Sequence, residues 1–259
     1  MKKSFLFLLT AFLAVTFFFV GCNKATNNPT DNTDTTTTTK TDQPIPTFPG
    51  SIDGEVTTIQ FTYTIPNLPA PLNTISVDMG FANFGAGTDA GTVTVNGKAV
   101  AKNTSSSTIY YNSFSTTSLA SLGLDWDGAI HTWNVTGAGS TPAFTIDVTS
   151  PTEFTVNTPT TSTVASKSSA LNIAWTGANA TSADSMMIVL VPTSGSGTTF
   201  TATTNNKTGS YTIASSSLSG FSGDVLLEVV KYRYAMKTVN SKTFVGVAEI
   251  VNTVNFKIQ

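Results

Sequence analysis

Cysteine is nearly absent from this chain: Cys22 stands alone among 259 residues. An internal disulfide is therefore excluded, and stability has to come from burial. Histidine is as scarce, with His131 the single example. Ser-His-Asp and Cys-His arrangements need that residue or a substitute base, and no nucleophile elbow accompanies it. One His and one Cys also cannot fill a typical zinc site. Charge is sparse too. Asp, Glu, Lys and Arg make up 11% of the chain, against the usual ~25%. The formal net charge is −2, which lacks the basic footprint of a nucleic-acid binder. No window sustains the 3.6-residue apolar period of a helix. The apolar run Phe5–Val20 falls short of the roughly 20 residues that a spanning helix needs.

What is present begins with that run. Lys2 and Lys3 precede it, and together they form the charged and apolar regions of an export signal. The run closes on Phe19-Val20-Gly21-Cys22. This resembles the lipobox of bacterial lipoproteins, in which a small residue precedes a cysteine that becomes the lipidated N-terminus. Gly21 and Cys22 match the pattern, and Phe19 stands where Leu is usual. The resemblance implies a signal peptide over 1–21, lipidation of Cys22 and a membrane partner through that anchor. Asn23 follows in place of the Asp that holds Gram-negative lipoproteins on the inner membrane, so an outer-membrane or cell-surface location is expected. Loss of Lys2 and Lys3 takes the formal net charge from −2 to about −4.

Residues 22–44 are almost wholly Thr, Asn and Asp after the cysteine. Such a stretch buries too little apolar surface to offset the entropy of ordering it, so a disordered tether is expected. As a flexible coil of about 22 residues it would span roughly 25–30 Å. Asp34-Thr35-Thr36 resembles the short O-glycosylation signal of Bacteroides-type bacteria.

Alternation of apolar and polar residues starts at Glu55. In VTTIQFTYTI, Ile59, Phe61, Tyr63 and Ile65 share one face, and in NTISVDMGF so do Ile75, Val77, Met79 and Phe81. Asn96-Gly97 between two alternating runs is the strongest short hairpin signal; it pairs Val95 with Lys98 and Val93 with Val100. Asp127-Gly128 predicts a second hairpin, with Trp126 facing Ala129, Leu124 facing His131 and Leu122 facing Trp133. Further strands are expected at 154–156, 170–175, 186–191, 199–203, 210–213 and 225–234, and at 244–258 as two pieces. Strands spaced 8–15 residues apart by Gly, Ser, Asn and Pro predict an all-β protein. The expectation is two Ig-like or fibronectin-like antiparallel β-sandwich domains, 45–150 and 151–259, divided at Thr149-Ser150-Pro151.

The C-terminal half, over about residues 152–235, resembles Ig-like modules of cell-surface proteins, including the KNH-like modules of Ser/Thr-rich membrane-anchored proteins. The residues that carry the likeness are Pro159, Val164, the Ile173-x-Trp175 strand, the Met187–Val191 strand and Gly209-x-Tyr211. It implies a spacer or adhesive unit.

Candidates for chemistry are few. His131 falls on the apolar face of a strand, which suits a structural role. Asp125-Trp126-Asp127-Gly128 resembles a fragment of a calcium loop but offers too few of the six to eight oxygens needed; Asp89 or Asp147 could complete it only through tertiary contacts. Trp133 and Trp175 alternate with core residues, whereas Trp126 sits at a turn where it could stack on a sugar. In KYRYAMK, Lys231 and Arg233 share one strand face and Tyr232 and Tyr234 the other, a pattern open to an anionic glycan. Candidate ligand-binding residues are thus Trp126, Asp125, Asp127, Tyr232 and Tyr234. A carboxylate pair for glycoside hydrolysis could come from Asp125, Asp127, Asp224 or Glu228. No catalytic residue, metal or cofactor is assigned. The expected function is a non-catalytic, lipid-anchored surface protein that acts as an adhesive, binding or scaffold module, with a glycan or an envelope protein as partner. The alternatives are a carbohydrate-binding module of a glycan-uptake system and a small glycoside hydrolase.

Overall fold

The computed structural model describes residues 35–39, 51–64, 74–85, 87–105, 107–114, 121–179 and 181–259. The signal segment, Cys22 and Asn23 lie outside these. The first eight strands are β1 (Thr35–Thr39), β2 (Gly54–Thr64), β3 (Thr74–Asn83), β4 (Val93–Val95), β5 (Lys98–Ser105), β6 (Thr108–Asn112), β7 (Ile130–Val135) and β8 (Phe144–Thr149). They are followed by β9 (Val156–Thr158), β10 (Val164–Ala165), β11 (Leu171–Trp175), β12 (Ser185–Pro192), β13 (Phe200–Asn205) and β14 (Ser210–Ile213). A single helical turn, α1 (Ser215–Leu218), leads into β15 (Gly223–Val239) and β16 (Lys242–Ile258).

The protein is an all-β sandwich. One 13-stranded sheet runs β13-β12-β15-β16-β2-β3-β6-β5-β4-β7-β8, with β1 on β15 and β10 on β16. A three-stranded sheet, β14-β11-β9, stands apart from it. The small sheet turns Leu171, Ile173, Trp175 and Ile213 inward against Ile188, Leu190 and Leu227 of the large one, in one shared core. The far end of the large sheet curls over the same face, so that Trp133, Phe144, Ile146 and Val148 join that core from β7 and β8.

Two features depart from the sequence pattern. The halves divided at Thr149–Pro151 share the large sheet, because β2 pairs with β16 in parallel from Gly54↔Phe244 to Thr62↔Asn252. Ser150 is fully buried at that junction and Phe154 nearly so. Also, 242–258 is one unbroken strand and not two. It pairs with β15 along its whole length, from Gly223↔Ile258 to Val239↔Lys242. The turn between them is Asn240-Ser241, both with positive φ (52° and 62°), a two-residue hairpin turn built without glycine. Both faces of this hairpin are buried along most of its length, which is why its sequence reads as nearly continuous apolar runs. Within the expected tether, Thr35–Thr39 forms β1 on the edge of β15, opposite residues Ala235–Thr238. Threonine favours the extended state, and β15 extends past β12 there, which leaves backbone groups to pair.

The Asn96-Gly97 hairpin forms in the expected register, with Val95↔Lys98 and Val93↔Val100 and φ of 48° and 75° at the turn. The Asp127-Gly128 hairpin does not form. Strand β7 pairs with β4 on one side and β8 on the other, so neither edge is left for residues 121–126. Leu122, Leu124 and Trp126 still alternate inward, but bonds to Asp78, from Leu122 N to its carbonyl and from Leu124 N to its carboxylate, replace the ladder.

Gly246 marks where the curled-over end meets the long hairpin. A Cβ there would lie 2.5 Å from Val148 Cγ2 and 3.2 Å from Ile146 Cδ1. Gly246→Val should therefore push β8 off β16 and cost about 1–3 kcal/mol, read as a lower midpoint in urea unfolding. An unchanged midpoint would mean that the layers do not meet at this residue.

Candidate functional site

The segment 121–129 runs beside β3, where Leu122 N donates to Asp78 O (3.0 Å), and makes one isolated bridge, Asp127↔Thr152. Asp78, on the inner face of β3, organises it. Its Oδ1 accepts from Trp126 Nε1 (2.9 Å), and its Oδ2 accepts from Leu124 N (3.0 Å) and Ser121 Oγ (3.0 Å). The carboxylate is 7% exposed, and these three donors supply the hydrogen bonds that a buried charge requires.

His131, on β7, is fully buried and fixes the other side of the segment. Its Nε2 lies 3.0 Å from Asp125 O, and its Nδ1 lies 2.8 Å from Thr58 Oγ1. A carbonyl only accepts, so Nε2 carries the proton and Nδ1 accepts from the Thr58 hydroxyl. Burial holds the imidazole below its ordinary pKa, against the opposing pull of Asp78 and Asp125. The ring meets the Trp126 indole edge-on, with centroids 4.8 Å apart and planes at 87°. Ser150 ties down the tip: its Oγ donates to Asp125 O and accepts from Gly128 N, both at 3.3 Å.

The result is a shallow depression of about 370 Å³ lined by Asp125, Trp126, Asp127, Thr152 and Glu153. Gln60 Nε2 donates to Glu153 Oε1 at 3.3 Å and so orients that carboxylate. Beneath Thr152 sits Lys231, with no exposed surface. Its ammonium donates to Thr152 O and Thr152 Oγ1, each at 2.9 Å, and lies 3.3 Å from Asp184 Oδ2. Three donors thus meet three acceptors. Arg233 Nε contacts the other oxygen of Asp184. Burial depresses the Lys231 pKa, and Asp184 counters it.

Of the sequence candidates, Asp125, Trp126 and Asp127 come together here. Trp126 is only 5% exposed and presents no free ring face, since its indole is committed to Asp78 and His131. Tyr232 and Tyr234 are each 3% exposed. They lie on the opposite face of the sheet, away from the depression, and burial raises the pKa of both phenols. Lys231 and Arg233 do share a face, but Asp184 engages both. Asp89 is bound to Lys102 and Tyr111, and Asp147 to Thr132, so neither adds an oxygen near Asp125. Asp224 pairs with Ser194 and Lys257, and Glu228 is on the far face. Among the described residues, no three His, Cys, Asp or Glu are placed to hold a metal ion. Sequence reasoning missed Thr152, Glu153 and Asp78; the polar Ser-Pro-Thr-Glu junction carried a signal for the first two and nothing marked the third.

Asp78→Ala should strand three donors, at about 1–3 kcal/mol for each one left unsatisfied, and release Trp126 to solvent. The checks are urea unfolding and a red shift of tryptophan emission; native emission with unchanged stability would show that Asp78 does not hold the segment.

No family model matches the chain, and no curated protein matches it either. Among solved structures it is similar to the fibronectin(III)-like modules of Clostridium thermocellum CbhA, at 11% identity, over 70% of this chain and 84% of that chain, with a TM-score of 0.27. A likeness of that degree carries no argument about function.

Proposed function

We propose that the protein is a lipid-anchored, non-catalytic surface module that serves as a scaffold or adhesive unit and meets its partner at the Asp125–Glu153 depression. The observation behind this is the burial of the aromatic candidates. Stacking on a sugar needs an exposed ring face, and Trp126, Tyr232 and Tyr234 have at most 5% of their surface free. The depression offers Asp125, Asp127 and Glu153 at its rim, which suits amide or basic groups of an envelope protein. The same exposed carboxylates can accept from sugar hydroxyls, and this favours a glycan as the second reading, within a glycan-uptake system. The anchor is Cys22, set in the outer membrane or cell surface of a Gram-negative bacterium, with the Thr-rich tether between it and the folded part.

Two experiments test the proposal on the whole protein. Cys22→Ala should abolish labelling by a fatty-acid analogue and move the protein from the membrane to the soluble fraction; unaltered labelling removes the anchor from the reading. Envelope-protein crosslinking and a glycan panel should each be run with Asp125→Asn/Asp127→Asn/Glu153→Gln, which alters the exposed rim and leaves Trp126 in place. A crosslinked protein lost in the triple variant supports the scaffold, a glycan lost in it supports the second reading, and partners retained in full exclude the depression.

A further inference from the structure

The large sheet ends in β13 on one side and in β8 on the other. Among the described residues β13 pairs with β12 alone. The register runs from Ser185↔Asn205 to Leu190↔Phe200 without a shift. In an antiparallel pair, alternate residues turn both backbone groups away from the neighbour. The free side of β13 therefore presents an unbroken row of donors and acceptors. Edges of this kind are commonly closed to other chains by a charge, a proline, a bulge or sheer shortness. β13 has none of these. It reads Phe200-Thr201-Ala202-Thr203-Thr204-Asn205 and is exposed or half-buried throughout. The other edges do carry such devices. β8 has the exposed Asp147 at mid-strand and is flanked by Pro142 and Pro151. β9, β10 and β14 have three, two and four residues. β15, where it runs on past β12, bears β1.

The strand also suits a partner of its own kind. A two-fold axis through Ala202, perpendicular to the sheet, lays a second β13 alongside the first, antiparallel. Ala202 then faces its counterpart in the second copy, Thr201 faces Thr203, and Phe200 faces Thr204. In each pair both side chains lie on the same face of the joint sheet. Phe200, Ala202 and Thr204 stand beside Leu190, Ile188 and Met186 of the inner core, and Thr201 and Thr203 beside Val189 and Met187 of the other face. Thr–Thr and aromatic–β-branched pairs across strands are favourable, and no like charges meet. The turn before β13, Ser194-Gly195-Ser196-Gly197-Thr198-Thr199, holds only small side chains, which leaves room for the second copy.

We propose that β13 is a self-recognition edge: two copies of the protein pair β13 to β13, antiparallel about Ala202, and join their large sheets into one. The interface is isologous, so each copy uses the same strand and the association closes at two. The guarded β8 edge keeps it from running on into a fibre. One strand from each copy makes a small interface, so pairing depends on concentration. No residue of the Asp125–Glu153 depression takes part. The N-terminal chain enters the sheet at Gly54, level with Phe244 and Lys237 near the β15–β16 turn, and the two-fold sets these entries at opposite ends of the joint sheet. With the Cys22 anchor of the proposed function, on which this consequence alone rests, the pair ties two facing surfaces together.

The test is made on the whole protein in mild detergent. In this register the two Ala202 Cα atoms lie about 4.5–5.5 Å apart, within disulfide reach, and the two Thr203 positions about 7–8 Å apart, beyond it. Ala202→Cys should therefore give a disulfide-linked dimer on mild oxidation. Thr203→Cys should give no more than wild type, whose one cysteine is Cys22. In sedimentation, the protein mass of wild type should rise with concentration towards twice that of one chain. Thr201→Lys/Thr203→Lys sets lysine against lysine in two pairs and should weaken this by about tenfold or more; mixing in Thr201→Glu/Thr203→Glu should restore a dimer. Vesicles that carry wild type should clump, and those that carry the lysine variant should stay dispersed. The crosslink does not need the anchor, so its failure is told apart from the loss of membrane attachment in Cys22→Ala. No crosslink through Ala202→Cys, an equal one through Thr203→Cys, or self-association unchanged in the lysine variant would overturn the pairing.

Discussion

The parallel pairing of β2 with β16 is the contact on which the rest of the architecture depends. It joins segments about 190 residues apart, as does the Thr243–Asp53 bond that closes its end. Through it, β3 and everything that follows in the first half are placed beside the long β15–β16 hairpin. Each strand of that hairpin has 17 residues and spans about 55 Å, enough to carry two covers side by side on one face. One cover is the three-stranded sheet and the other is the curled-over end at β7 and β8. Gly246 lets the second cover approach. A ladder of such sequence separation forms late and slowly, because the loop must close before its bonds stabilise anything.

The depression is a product of the same seam. Thr58 and Gln60 come from β2, Asp78 from β3, His131 from β7, Ser150 and Thr152 from the junction and Lys231 from β15. Each polar group there would be costly alone in the interior and is held by partners. Lys231 is the sharpest case, a fully buried ammonium with three acceptors, and breaking such an arrangement costs far more than a surface pair is worth. Segment 121–129 has almost no backbone pairing of its own, so its shape rests on Asp78, His131 and Ser150. The second face differs, since Glu55, Glu228 and Glu249 are buried in it and burial raises the pKa of all three.

Turn chemistry and periodicity were reliable where the turn residues alone decided the outcome. Asn96-Gly97 brought its flanking strands into the expected register, and 210–213 became β14 without change. Asp127-Gly128 carries an equally strong local signal and failed, because both edges of β7 were occupied by strands that the dipeptide cannot sense. Asn240-Ser241 makes a tight turn with no glycine to announce it, so the longest hairpin was the harder one to see. Trp126 was read as a tip residue for the same reason: its burial follows from Asp78, 48 residues away. Alternation did mark Lys231 and Arg233 as sharing one face and Tyr232 and Tyr234 the other, but it could not tell that both faces are covered.

By itself the sequence determined that the chain is all-β, where most strands lie, and how little acid–base chemistry it has to offer. Those properties follow from side-chain composition, a two-residue period and the φ preferences of turns, all of which act within a few residues. Only the tertiary structure decided that the two halves share one sheet, that the aromatics are enclosed, that Lys231 lies under Thr152 and that three glutamates are buried in one face. Each of these depends on which surface comes to cover a strand, and that choice is made by pairing and packing between segments far apart in the chain.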